Sequence, residues 1–244
     1  MRVYETSDIR NVALAGHGHS GKTSLAAALL YTSGATNRLT RVDEGNTITD
    51  YDEEEINRKL TISTKIAAAA MLIVVDGVAG VEVQTERVWN FADEYHLPRA
   101  IVIDKLDRER SSFERSLANA QEVFGRGIIP IELPIGAEKD FQGVIDLVTM
   151  RAYIYSPDGN GKGKECDIPA NMADEAKAAH EALVEMVAEG KDELLEEFFA
   201  TGTLPVEHIQ DGLREAVRER RVVPVLCASG LHNVGTDLLL NFMV

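Results

Sequence analysis

Gly16-His17-Gly18-His19-Ser20-Gly21-Lys22-Thr23 has the spacing G-x-x-x-x-G-K-T, and its reading decides the fold. A polyphosphate needs several donors converging on its oxygens from close range. Glycines let the backbone approach and turn its N–H groups inward as an anion nest. Lys22 can reach the outer phosphates, and the hydroxyl of Thr23 can hold a magnesium ion. The flanks agree with this. Ile9 to Ala15 reads as a strand entering the loop, and Ser24 to Tyr31 as a helix leaving it, closed by Gly34. That helix would aim its N-terminal dipole at the phosphates. With every fixed position met and both flanks in place, a chance Gly-rich turn explains the stretch poorly. His17 and His19 have no Cys or acidic partner at ligand spacing and read as loop lining rather than metal ligands.

Further strands and helices alternate behind the loop. Met71-Leu72-Ile73-Val74-Val75-Asp76-Gly77 is a short apolar run ending in Asp-Gly, as expected of a central parallel strand buried on both faces. A helix is expected over Val81–Tyr95, a buried strand over Arg99–Asp104, a helix over Phe113–Phe124 closed by Gly125, and a strand over Ile128–Leu133. This alternation predicts a doubly wound, mostly parallel α/β sheet of the P-loop nucleoside-triphosphatase class. Ligands of such sheets bind at the carboxyl ends of the strands, where the phosphate loop sits. Between Leu133 and Arg221 the pattern changes to two strands, Gly143–Val148 and Arg151–Tyr155, and a flexible loop, Ser156–Lys164. Helices follow at about Met172–Glu189, Asp192–Ala200 and Val206–Arg218, before a buried strand at Val222–Ala228. An α+β subdomain inserted at 134–220, dividing a nucleotide-binding domain of 1–133 and 221–244, is the expected organisation. The last stretch, Asp237–Val244, reads as an apolar helix without a cap, as in a piece of a longer chain.

The composition narrows the function classes. A net charge of −15 over 244 residues makes direct nucleic-acid binding by phosphate neutralisation a poor expectation. Two cysteines without ligand spacing, Cys166 and Cys227, suit a reducing compartment. The first eight residues lack the apolar core of a signal peptide, and no apolar run is long enough to span a membrane.

The base is chosen elsewhere. Asp104-Lys105-Leu106-Asp107 directly follows a buried strand. Guanine presents N1–H and an exocyclic amine on one edge, and the Asp107 carboxylate can accept both, worth about 1–3 kcal/mol by analogy with base-edge readout. Lys105 can lay its stem along the base. In Cys227-Ala228-Ser229-Gly230, after the last strand, backbone N–H groups can meet the guanine carbonyl. Asp104–Asp107 alone is a weak signal, whereas the three motifs in this order, each after its own strand, are specific. An adenylate-using kinase or ATPase is disfavoured by Asp107 and Ser229.

Over nearly its whole length the chain resembles the GTP-binding domain of translational GTPases, most closely elongation factor G and its elongation factor G-like relatives. Gly16–Thr23 resembles the family phosphate loop, Asp104–Asp107 its Asn-Lys-x-Asp, and Ser229-Gly230 its Ser-Ala motif. Asp76–Glu82 resembles the strand end and helix start after the second switch. Arg58-Lys59-Leu60-Thr61-Ile62 resembles the first switch, which gives Thr61 a magnesium-sensing role beside Thr23. The resemblance implies a nucleotide site of Gly16, His17, Gly18, His19, Ser20, Gly21, Lys22, Thr23, Ser24, Asp104, Lys105, Asp107, Ser229, Gly230 and Leu231. It implies GTP or GDP with magnesium as ligands, GTP hydrolysis on the ribosome, a monomer and a cytoplasmic location. It also implies that the insert faces the stalk protein of the large ribosomal subunit, and that domains downstream of the GTPase are absent here. A ribosomal-protection or release-type relative is an alternative with the same chemistry, and a non-hydrolysing nucleotide-binding scaffold is an alternative of another class.

Three departures from the family qualify these expectations. Asp104 replaces asparagine, and an ionised carboxylate cannot donate, so nucleotide affinity is expected to be weakened. His19-Ser20 replaces Asp-Ala, which points to the elongation factor G-like branch. No Asp-x-x-Gly of the second switch stands between Thr64 and Met71, so no residue is assigned to catalysis. The run Thr61 to Val75 contains no Gly, Pro, Asn or Asp before Asp76 to turn the chain. The family fold places a strand, the switch loop and a helix there, about 30–45 residues at ordinary sizes. One expectation is a passed-over segment, with a break in Cα spacing between Thr61 and Leu72. The other is a true deletion, leaving a remnant that binds GTP without hydrolysing it.

Overall fold

The structure, a computed structural model, spans residues 1–244 without a gap in numbering and describes residues 11–44, 70–156 and 159–243. Both readings of the Thr61–Val75 run, a passed-over segment and a true deletion, turn on residues up to Ala69 that are not among those described. The Cα spacing through that run, the first-switch stretch with Thr61, and Ile9 and Arg10 of the first expected strand lie outside the described residues.

A five-stranded parallel sheet carries the first half of the chain. Its strands are β1 (Val12–Ala15), β2 (Ala70–Asp76), β3 (Arg99–Asp104), β4 (Ile128–Pro130) and β9 (Val223–Cys227), in the order β1-β2-β3-β9-β4. Each pairing is parallel, with Ala15 beside Ile73, Asp76 beside Asp104 and Ile103 beside Cys227. The register therefore aligns the carboxyl ends of four strands along one edge. Leu72 to Val75 and Ile101 to Ile103 are at most 2% exposed, as expected of strands covered on both faces. Each such side chain contributes about 1.5–3 kcal/mol by leaving water.

Helices α1 (Lys22–Thr32), α2 (Val83–Glu94) and α3 (Phe113–Phe124) connect these strands. Ser112 caps α3 by accepting from the Arg115 N–H, and Gly125 ends it at φ +99°. Trp89 of α2 stacks on Phe124 of α3 with ring centroids 3.9 Å apart, and the Arg99 guanidinium lies over the Trp89 ring.

The apolar run from Ile128 to Leu133, expected as one strand, is divided between two sheets. β4 ends at Pro130, and β5 (Glu132–Ile135) opens an antiparallel sheet with β6 (Gly143–Asp146), β7 (Arg151–Ile154) and β8 (Lys164–Cys166). Ile131 is the pivot. Its N–H donates to the Val225 carbonyl of the first sheet, and its carbonyl accepts from Leu147 N–H beside the second. Strand β8 falls at the end of a stretch expected to be loop, and two of its three residues are exposed. Helices α4 (Ala173–Ala188), α5 (Asp192–Thr201) and α6 (Val206–Arg218) follow, and α7 (Thr236–Met243) packs back on α1. The second sheet is tied to α7 by Asp237, which accepts from Tyr155 Oη at 2.5 Å and from Gly163 N–H at 2.8 Å. Among the described residues no helix is long and apolar enough to cross a membrane.

Candidate functional site

The phosphate loop joins β1 to α1 and needs glycine at two places. Gly16 has φ +147°, and a Cβ there would stand 2.3 Å from the Val74 carbonyl oxygen. Gly21, at φ +102°, is the N-cap of α1 and places no side chain over the first turn. The backbone N–H groups of Gly18, His19, Gly21 and Lys22 make no hydrogen bond among the described residues. Unpaired donors converging at the N-terminus of an eleven-residue helix fit an anion. Lys22 folds over the loop, its Nζ donating to the carbonyls of His17 at 2.6 Å and Gly16 at 3.2 Å. Burial, and then the Lys105 charge, lowers the Lys22 pKa. Thr23 and Ser24 lie half-buried on the first turn.

Asp104, at the end of β3, is 1% exposed. Its Oδ1 accepts the Gly230 N–H at 2.8 Å, while a Cβ on Gly21 would stand 1.9 Å from its Oδ2. The carboxyl is thus wedged between the phosphate loop and the loop after β9. Burial pushes it up to about 7; the Asp107 charge adds to the rise, and the N–H groups of Gly230 and Lys105 and the Lys105 charge oppose it. Lys105 sits in left-handed backbone at φ +64°. Its ammonium bonds the His19 carbonyl and pairs with Asp76 at 2.6 Å. Asp107 Oδ1 accepts from Ser229 Oγ at 2.5 Å, and its Oδ2 lies 3.7 Å from His232 Nε2. Leu231 follows, half-buried, in the same turn. All the expected nucleotide residues therefore meet at one end of the parallel sheet. Of the two expected magnesium residues, Thr23 is at this end and Thr61 is outside the described residues.

The comparison with known families matches the elongation factor Tu GTP binding domain over residues 7–71 and 65–244. The chain belongs to the elongation factor Tu GTP-binding domain family. Among solved structures, the crystal structure of ttk003000868 from Thermus thermophilus is similar, with a TM-score of 0.87 and 32% identity. The match covers 96% of this chain and 39% of that one, so this chain spans well under half of the neighbour's length. As a member of the elongation factor Tu GTP-binding family, the chain is a GTP-binding domain of the translational GTPase type, and its ligand class is guanine nucleotide.

Sequence reasoning missed one connection. His17, read as loop lining, is 5% exposed and reaches α2, with Nε2 2.9 Å from Glu82 and Nδ1 3.5 Å from Thr85 Oγ1. Burial lowers its pKa, against the opposing pull of the Glu82 and Asp76 carboxylates. The Glu82 N–H also donates to Thr85 Oγ1 at 3.3 Å, so one helix start serves both its own cap and the phosphate loop. Glu-x-x-Thr ahead of an apolar helix was the available signal, but nothing in it pointed to position 17.

Proposed function

We propose that this chain is the nucleotide switch of an elongation factor G-like translation factor that hydrolyses GTP on the ribosome. The observation that carries the reading is the meeting of the phosphate loop with Asp107 and Ser229 across the Asp104 wedge. In this reading residues 1–133 and 221–244 form the GTP-binding domain, and residues 134–220 form an inserted subdomain that meets the stalk protein of the large subunit. The factor works as a cytoplasmic monomer.

The phosphate-loop N–H groups and Lys22 receive the β- and γ-phosphates, and Asp107 reads the guanine edge, with Ser229 holding its carboxylate in place. Among the described residues no cluster of three or more His, Cys, Asp or Glu is arranged to hold a metal, so magnesium would rest on Thr23, Thr61 and the nucleotide's own oxygens. When bound, magnesium neutralises phosphate charge. Catalysis would be positioning plus electrostatic stabilisation of the γ-phosphoryl by the loop N–H groups and Lys22.

A second reading, a scaffold that binds GTP without hydrolysing it, is favoured by the absence of Asp-x-x-Gly between Thr64 and Met71. GTP turnover by the full-length protein with and without ribosomes separates the two. Ribosome-stimulated turnover supports the switch, and tight GTP binding with no turnover in either condition supports the scaffold.

A further inference from the structure

We propose that Asp104 binds nucleotide as a neutral carboxylic acid, and that its ionisation expels the nucleotide. This rests on the guanine-nucleotide reading above and deepens it.

The geometry leaves little room for a charge at this position. Asp104 is 1% exposed and is closed in by Gly21 on one side and Gly230 on the other. Oδ1 is already an acceptor for the Gly230 N–H, so a proton belongs on Oδ2, the oxygen facing the phosphate loop. In that form the side chain presents one acceptor and one O–H donor, the pattern of a carboxamide. The neighbouring Lys105 ammonium is turned away to Asp76 and the His19 carbonyl. Asp104 has no ion pair among the described residues, and a buried carboxylate without a counterion is held neutral.

Titratable groups surround it on every neighbouring element. Its own loop brings Lys105 and Asp107, β2 brings Asp76, the phosphate loop brings Lys22, His17 and His19, and the turn after β9 brings His232. Asp107 repels an Asp104 charge and Lys105 attracts it, and burial outweighs both, so that the group titrates near neutrality. A nucleotide adds several negative charges at the loop that Asp104 touches through Gly21. The ionised form would place a carboxylate beside those phosphates, while the neutral form would not. Binding must therefore favour the protonated state, and by linkage affinity must fall as pH rises.

The test is GDP affinity, read with a fluorescent GDP analogue on the full chain, for wild type and Asp104→Asn between pH 6 and pH 8.5. Wild-type affinity is expected to weaken roughly tenfold between pH 6.5 and 8, while Asp104→Asn varies less than twofold. Asn keeps the donor and acceptor but cannot titrate. A wild type that binds with no pH dependence, or an Asn variant that shares the wild-type slope, overturns the proposal; the second outcome would assign the slope to another group, such as His232. No GDP binding at any pH overturns the guanine reading itself, and this proposal with it. Should Asp104→Asn fail to fold, carbon-detected NMR of the wild-type aspartate carboxyls decides. A buried carboxyl titrating near neutrality supports the proposal, and all aspartates ionised below pH 5 overturn it.

Discussion

Replacing Gly21 by alanine tests how the two halves of the site are joined. Gly21 sits at φ +102°, where an L side chain costs about 1–2 kcal/mol. The new methyl would stand 1.9 Å from Asp104 Oδ2 and 3.1 Å from Cγ, well inside contact. Asp104 cannot swing freely, because it is fully enclosed and bonded to the Gly230 N–H at 2.8 Å. Displacing it orphans a buried donor, worth about 1–3 kcal/mol. Gly21→Ala is thus expected to lose about 2–5 kcal/mol of stability. Gly18 supplies the control within the same loop. A Cβ there meets nothing within 4 Å, and its φ lies outside the left-handed range. Gly18→Ala should stay within about 0.5 kcal/mol of wild type. Urea unfolding of both variants, analysed with a shared slope, gives the comparison. Equal midpoints for the two variants would refute the wedge between Gly21 and Asp104.

Two other predictions concern charge. Lys22→Ala should weaken GTP affinity about 10- to 100-fold, the scale of a charge-assisted bond in a desolvated loop, while Lys177→Ala, at an exposed position on α4, changes it less than twofold. Calorimetry giving the two variants equal affinity would remove Lys22 from the site. The second concerns stability against pH. Because the folded state raises the Asp104 carboxyl from 3.8 to about 7, the folded protein retains a proton that the unfolded chain releases. The contribution of Asp104 to stability is complete below pH 3.8, falls as pH rises to about 7, and then levels, a loss of at most about 4 kcal/mol from this group. Asp104→Asn removes that slope, so its stability advantage over wild type should grow between pH 4 and 7 in thermal melts. An advantage that stays constant with pH would contradict the buried acid.

Much of this was legible because the signals are local. G-x-x-x-x-G-K-T fixes a loop through its own glycines, and the runs at Leu72–Val75 and Ile101–Ile103 announce strands covered on both faces. The order of the motifs, each behind its own strand, put the expected nucleotide residues at one end of the sheet before any distance was known. What stayed hidden depends on distant partners. Ile128–Leu133 is a uniform apolar run, and only the opposing bonds of Ile131 to Val225 and Leu147 show that it serves two sheets. Lys164–Cys166 pairs with β7 through its backbone and carries no apolar alternation to reveal it. The reach of His17 to Glu82 crosses 65 positions and follows from the fold alone. Asp104 could be recognised as a departure from asparagine, but whether it carries charge is decided by Gly21, Gly230 and the commitment of Lys105 to Asp76.

The guanine site itself is tested most directly by exchanging the base preference. Asp107 is held by the Ser229 hydroxyl at 2.5 Å, and in the proposed reading it accepts the N1–H and amine of guanine. Xanthine presents a carbonyl where guanine has the amine, so an amide donor should suit it. Competition binding of GDP, XDP and ADP to wild type and Asp107→Asn is the measurement. Wild type should prefer GDP over both rivals, and the variant should lose GDP affinity about 10-fold or more while gaining XDP. An Asp107→Asn protein that keeps the wild-type preference for GDP would contradict the assignment of the base edge.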